Sequence, residues 1–394
     1  MKYYINFLRD KPIIRSLSLV NFIASFGAWF STVAIYTMVV EFGSSEFAIA
    51  IVTAMHFIPA ILIAPFSGSL IDRLKIKPLM VTLLFIELSM TACFLLIETA
   101  SDLWLLLIFI FIRMSAASMF FSSEMSLLAK IATGKDLQTA NEIQSIIWSF
   151  TYAVGMAVSG FIVNLYGVKA AILIDVAIFV LAFFVFLNIK INIEYKKVEE
   201  KILELMIDGL RYIKNNKIIL HLIFLHASVG LTSYDALITI LAKNEYKELI
   251  AVPLAIGLSN AVRAVALMIG PIFLNKIIKK ENLQYLLIFQ GITIIIWAFA
   301  QSNFYLSLGA LFFVGFSTAF LWSYTYALLQ NHCDKKYIGR VISYNDMFFM
   351  LANVLTTLFI GTMAHVTTTS IITICLGVAF LFYAYYYTKI YSKI

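Results

Sequence analysis

The chain has 394 residues, of which 62% are hydrophobic and only 13% charged. A soluble domain carries about 25% charged residues, so this chain has too little charge to clothe a water-soluble surface of its size. The net charge of +7 would suit nucleic acid, but the cations lie in short connections between apolar runs, a topological pattern that excludes a nucleic-acid partner.

Apolar runs near twenty residues recur along the whole chain, which predicts an all-α polytopic membrane protein embedded in a lipid bilayer. A β-barrel would instead show short alternating segments. The N-terminal "MKYYINFLRDKPIIR" is basic, but the apolar run behind it is too long for a signal peptide and lacks a cleavage site, so it reads as a first span. Twelve spans are predicted, at 17–40, 48–69, 78–97, 103–129, 143–165, 168–189, 218–242, 251–274, 283–300, 303–328, 341–364 and 368–388. With both termini cytoplasmic, the inside segments hold 24 Lys and Arg, and the outside loops hold three (Lys169, Lys243 and Lys247). This bias predicts a multi-pass protein of the cell's inner membrane with that orientation. Cys93 and Cys375 fall inside spans and Cys333 in a loop, without a CxxC or a disulfide framework, so neither a thiolate metal site nor redox chemistry is expected.

The longest connection, "KINIEYKKVEEKILELMIDGLRYIKNNK" (190–217), spaces Ile202, Leu205, Met206 and Leu210 helically among charges. It predicts a cytoplasmic amphipathic helix against the membrane face. That linker divides the chain into a six-helix bundle at 1–189 and another at 218–394. A shift of 203 residues lays "SGSLIDRLKIK" (67–77) over "GPIFLNKIIKK" (270–280), bringing Asp72 onto Asn275, Arg73 onto Lys276, Lys77 onto Lys280 and Glu87 onto Gln290. Six-span parallel repeats are one transporter architecture.

Between the second and third spans, "GSLIDRLKIKP" (68–78) places Asp72, Arg73, Lys75 and Lys77 directly after Gly68. Gly68 permits close backbone approach. Asp72 can accept from the orphan N–H groups at a neighbouring helix N-terminus. Twelve spans, a central linker and this Gly-x-x-x-Asp-Arg loop resemble the major facilitator superfamily, whose signature here is roughly G-x-L-x-D-R-x-G-R-R. Gly68, Leu70, Asp72, Arg73 and Lys77 match, whereas Lys75 replaces the second glycine and Ile76 the next basic residue. The resemblance implies two pseudo-symmetric six-helix bundles. It also implies that Asp72 docks at the start of span eleven near Gly339 and Arg340, and that Lys75 or Lys77 pairs with Glu124 of span four. Asp346 would join the same inner gate. "RMSAASMFFSSEMSLLAKIATGKDLQTANEIQSI", "DGLRYIKNNK" and "GRVIS" further resemble the branch containing macrolide-efflux proteins and the enterobactin exporter.

A charge at mid-bilayer costs about 2.5–3.5 kcal/mol on insertion scales, so each one inside a span is a functional candidate. Arg113 in span four, Asp235 in span seven and Arg263 in span eight lead. Asp235 lies eight residues from Lys243 and Arg263 twelve from Ala251; their depths therefore differ by about 6 Å, which makes a pair feasible. Glu87 is a secondary candidate, and Asp175 is expected to cap or pack. His226 reads as a polar cavity wall or proton-sensitive group; it stands five residues from His221, not the i, i+4 spacing of a helical metal site. Trp322, Tyr324 and Tyr326 of span ten, with Trp29 and Tyr36 of span one, would suit a cavity for amphipathic molecules. In "GMAVSG", Gly155, Ser159 and Gly160 allow close helix contact.

The sequence thus predicts a monomeric secondary transporter without a cofactor, metal or catalytic residue: a proton-coupled exporter of small drug-like molecules. Exporters of siderophore-like anions or lipids, and a receptor with the same fold, are the alternatives. Two intramembrane arginines favour an anionic group on the substrate unless Asp235 neutralises one. No GxSxG, HExxH or P-loop motif is present to support an enzyme or a nucleotide-driven pump.

Overall fold

A computed structural model describes residues 2–191, 202–275, 277–334 and 336–393, and among these every regular element is helical. Hydrocarbon offers no water to the backbone, so each spanning segment must satisfy its own N–H and C=O groups, and helices do so. Eleven helices are long and apolar enough to cross a membrane. One of them, Gly134–Leu187, has 54 residues and would be about 80 Å long if straight, far beyond a bilayer core of about 30 Å. It reverses at Gly167, whose φ of 81° lies in the left-handed region open to glycine, and so contributes two spans.

Twelve spans result among the described residues. Span 1 is Pro12–Glu41, and span 2 is built from Glu46–Ala54 and Ile58–Arg73. Span 3 is Ile76–Cys93 and span 4 Leu103–Ile131, while spans 5 and 6 meet at Gly167. Span 7 is broken: Lys217–Ala227 gives way to a 3-10 turn at Ser228–Thr232, a short helix at Asp235–Leu241 and a π-turn at Ala242–Tyr246. Spans 8 to 12 are Val252–Leu274, Leu283–Ala300, Phe304–His332, Ile338–Met363 and Thr369–Ile390. An even number of spans puts both chain ends and the linker on one face.

On the opposite face the two bundles meet through glycine. A Cβ on Gly160 of span 5 would stand 2.7 Å from the Pro253 carbonyl, and one on Gly257 of span 8 would stand 2.6 Å from that of Met156. Gly361 of span 11 packs in the same way on Ala50 of span 2. Lys243 seals this end by donating to the Ser44 carbonyl at 2.8 Å and to Glu46 at 3.0 Å, while His365 stands 3.6 Å from the same carboxylate.

On the face of the termini, the linker helix Ile202–Asn215 docks on the start of span 11. Arg340 donates to Asp208 at 2.7 Å, and Tyr344 donates to the Met206 carbonyl at 3.0 Å. The Asp334 N–H donates to the Tyr212 hydroxyl at 3.1 Å, and Tyr212 stacks on Tyr337 at 4.3 Å. Burial at this junction pushes the Cys333 thiol and the Tyr212 phenol above their ordinary values. Of the described apolar residues of the expected amphipathic helix, Ile213 is buried while Ile207 and Leu210 are exposed. Residues 192–201 of the anticipated linker lie outside the described residues.

The glycine seam makes an unforgiving contact. Gly160→Val should lower the melting temperature of the purified protein by roughly 5 °C or more, since 1 kcal/mol moves a large domain by about 2–4 °C. Gly309→Val is the control, because a Cβ there meets nothing within 4 Å. Equal melting temperatures for the two variants would show that the seam is not closely packed in the membrane.

Candidate functional site

Arg263 reaches out of span 8 into the break of span 7. Its Nη2 donates to the Thr232 carbonyl at 2.7 Å. A continuous helix would have used that carbonyl in its own ladder; the 3-10 turn and the chain leaving it make it available to the guanidinium. Nη1 lies 3.7 Å from Asp235 Oδ1, at the start of the helix that follows the break, and the guanidinium sits 5.3 Å above the Tyr234 ring. The pair anticipated from similar depth is therefore made, at a long ion-pair distance.

The same Nη1 donates at 3.3 Å to the hydroxyl of Tyr152, which belongs to span 5 of the other bundle. Tyr152 in turn donates to Asn260 of span 8 at 3.2 Å. Its ring packs on Trp29 at 4.5 Å and on Trp148 at 5.5 Å. A buried arginine, its carboxylate and a tyrosine from the facing bundle thus form one cluster across the seam. Tyr152 and Asn260 went unnoticed in the sequence, although a tyrosine and an asparagine within apolar spans are the kind of polar position that signals a contact.

Arg113 has a different setting. Its Nη2 lies 3.3 Å from Asp175 of span 6, and its Nη1 donates to Ser31 of span 1 at 2.7 Å. Phe94 and Phe179 flank the guanidinium at 5.5 and 5.1 Å. Gly27 makes room for the Asp175 carboxylate, since a Cβ there would collide with it. Asp175, expected only to cap or pack, is thus the counterion of Arg113, and Glu87 is buried within electrostatic reach of both. All these groups belong to the first bundle. The premise of two unpaired arginines favouring an anionic substrate does not hold, because each arginine faces a carboxylate of its own.

The aromatic residues separate into four settings. Trp29 belongs to the seam, while Tyr36 packs its ring 5.7 Å from that of His56. Trp322 and Tyr326 stack on each other beside His226, whereas Tyr324 turns to Phe320, 5.4 Å away. Tyr324 therefore does not share the surroundings of Trp322.

The loop at 68–78 also departs from expectation. Lys77 donates to the Leu187 carbonyl at 3.0 Å, and Lys75 is exposed. Glu124 accepts from Gln144 at 2.8 Å, and Gln144 accepts from Asn21, so amides of spans 1 and 5 take the place foreseen for a lysine. Arg340 serves the linker through Asp208. The surroundings of Gly68 and of the Asp72 and Arg73 side chains lie outside what is described, and Asp346 accepts from the neighbouring Asn345 at 3.4 Å.

Residues 17–357 match the family model described as Major Facilitator Superfamily. No curated protein matches the chain. Among solved structures, the nucleoside transporter NupG superposes with a TM-score of 0.76 at 12% identity, over 96% of this chain and 99% of that one. A bacterial homolog of the human lysosomal transporter Spinster, in an inward-facing and unoccupied conformation, superposes with a TM-score of 0.74 at 12% identity, over 96% of this chain and 95% of that one. At these identities the likeness is one of fold.

The seam cluster predicts an asymmetric response to mutation. Arg263→Ala strands the Asp235 carboxylate in a low-dielectric site and should cost about 3–5 kcal/mol. Combining it with Asp235→Asn should recover part of that loss, measured as the melting temperature of purified protein. A double variant no more stable than Arg263→Ala would show that the two charges are not coupled.

Proposed function

On the premise that the chain belongs to the major facilitator superfamily and is a membrane transporter, we propose that it is a proton-coupled exporter of small amphipathic molecules working by alternating access. The bundles at 1–189 and 218–394 rock against each other, and the linker at 190–217 follows span 11. Both termini are cytoplasmic and the protein works as a monomer in the inner membrane, in keeping with the Lys and Arg bias of the terminal face.

The observation that carries the reading is the Asp235–Arg263–Tyr152 cluster, an ion pair whose arginine also bonds the other bundle. Protonating Asp235 removes the charge that holds Arg263 and loosens the seam. Deprotonating it restores the pair. A carboxylate that exchanges its proton as the seam opens and closes is what proton coupling needs. The opposite face is held in this state by Glu46, Lys243 and the glycine contacts. In the other state, Asp72 of the 68–78 loop clamps the cytoplasmic ends, with Gly68, Arg73, Lys75, Lys77, Glu124, Arg340 and Asp346 around it.

The likeness of "RMSAASMFFSSEMSLLAK" and "GRVIS" to macrolide-efflux proteins supports a drug-like substrate. With both arginines neutralised internally, little favours siderophore-like anions. A receptor with this fold would bind without moving its ligand.

Proteoliposomes made acidic inside should accumulate a radiolabelled macrolide as protons leave, and nigericin should abolish the accumulation. Asp235→Asn cannot titrate, so its flux should lose its dependence on the pH gradient. Accumulation unaffected by nigericin would refute proton coupling, and retained pH dependence in Asp235→Asn would remove that residue as the proton site.

A further inference from the structure

Spans 7, 10 and 11 bring unused hydrogen-bond acceptors and aromatic faces to one place. His226 of span 7 is fully buried, with Nδ1 2.8 Å from the Thr325 hydroxyl. That hydroxyl already donates to the Leu321 carbonyl at 2.7 Å, so it accepts from the ring and the imidazole proton sits on Nδ1. Nε2 keeps its lone pair and has no hydrogen-bond partner. Trp322 lies 5.9 Å from the imidazole, and Tyr326 and Phe349 each lie 5.5 Å from it, ring centre to ring centre. Trp322 and Tyr326 stack at 5.1 Å and 22°.

Span 11 adds two more acceptors. Asn345 and Asp346 precede Phe349 by four and three positions, which places them on the same side of the helix. Asn345 is fully buried and its Oδ1 has no partner, because the amide nitrogen is the atom turned to Asp346. Asp346 is half-buried and close enough to Tyr326 for its charge to act on that phenol. Among the described residues no ion pair engages Asp346, whereas Asp175 and Asp235 each have an arginine. Tyr326 and Phe349 are half-buried and Trp322 is 41% exposed, so the group is open on one side.

We propose that His226, Trp322, Tyr326, Asn345, Asp346 and Phe349 form a subsite for a protonated amine carried on a planar apolar body. Aromatic faces attract a cation through their quadrupole, and a carboxylate without a local countercharge completes its neutralisation. The bare His226 Nε2 and Asn345 Oδ1 accept N–H donors from the same ligand, groups that are otherwise buried unsatisfied. An anion would meet the Asp346 carboxylate, which no ion pair engages among the described residues, and is repelled by it. The inference rests on the transporter reading and narrows its substrate class from amphipathic molecules to amphipathic organic cations.

The test uses the full-length protein in nanodiscs of zwitterionic lipid, with quinacrine as a fluorescent planar amine and fluorescein as an anion of similar shape. Quinacrine should bind saturably, and Asp346→Asn and Trp322→Ala should each weaken it about tenfold or more, as expected for losing a desolvated charge or cation–π partner. Asp346→Glu and Trp322→Phe should stay within about threefold of wild type. If Asp346→Asn lowers the yield of folded protein, the two Trp322 variants decide. No quinacrine binding up to about 1 mM, unchanged affinity in the truncating variants, or equal competition by fluorescein would each overturn the subsite. Quinacrine flux in proteoliposomes separates the two claims: site-dependent binding without flux counts against transport but leaves the subsite standing. Flux indifferent to both truncations keeps transport and removes the subsite.

Discussion

The guanidinium of Arg263 depends on a carbonyl that an unbroken helix would have kept for itself. Span 7 stops being α-helical at Ser228–Thr232, and the Thr232 oxygen, which accepts only the nearby Tyr234 N–H from the backbone, also accepts from Arg263. In hydrocarbon a charge can exist only where protein replaces water, so the break, the arginine and Asp235 stand or fall together. The Nη1 that faces Asp235 also donates to Tyr152 in the other bundle. A local solution to desolvation has thereby become a contact between the two bundles.

The first bundle meets the same constraint in a way that does not reach the seam. Arg113, Asp175 and Ser31 lie on spans 4, 6 and 1, all within one bundle. The set makes no contact with the second bundle, which suits a structural role. The pseudo-repeat therefore relates helices, not charges. Glu87 and Gln290 are equivalent under the 203-residue shift and both are buried. Gln290, however, is a neutral amide that donates to the Val314 carbonyl and accepts from Ser317, while Glu87 sits beside an ion pair.

The two faces of the molecule are joined by different physics. Opposite the termini, backbone meets backbone at Gly160 and Gly257, and Gly361 meets the Ala50 methyl, so dispersion contacts are short, and Lys243 and Glu46 add a partly screened ion pair. At the terminal face the linker helix holds span 11 through Asp208 and Arg340 and two tyrosine hydroxyls. Those bonds are at the water's edge, where charge and exposure make them exchangeable.

Composition and span length determined the fold class by themselves, because every apolar run of this length has only one economical way to lie in a bilayer. The number of spans, the linker and the depth match of Asp235 and Arg263 followed from position along the chain, since helix rise converts residue count directly into depth. Facing direction does not follow from count. The sequence therefore left Asp175 as a packing residue and offered Lys75 or Lys77 to Glu124, and it placed Tyr324 with Trp322. Tertiary structure assigned Asp175 to Arg113, Gln144 to Glu124 and Tyr324 to Phe320. Each of these choices depends on the rotation of one helix about its axis, which is set by packing against neighbours that are distant in the chain.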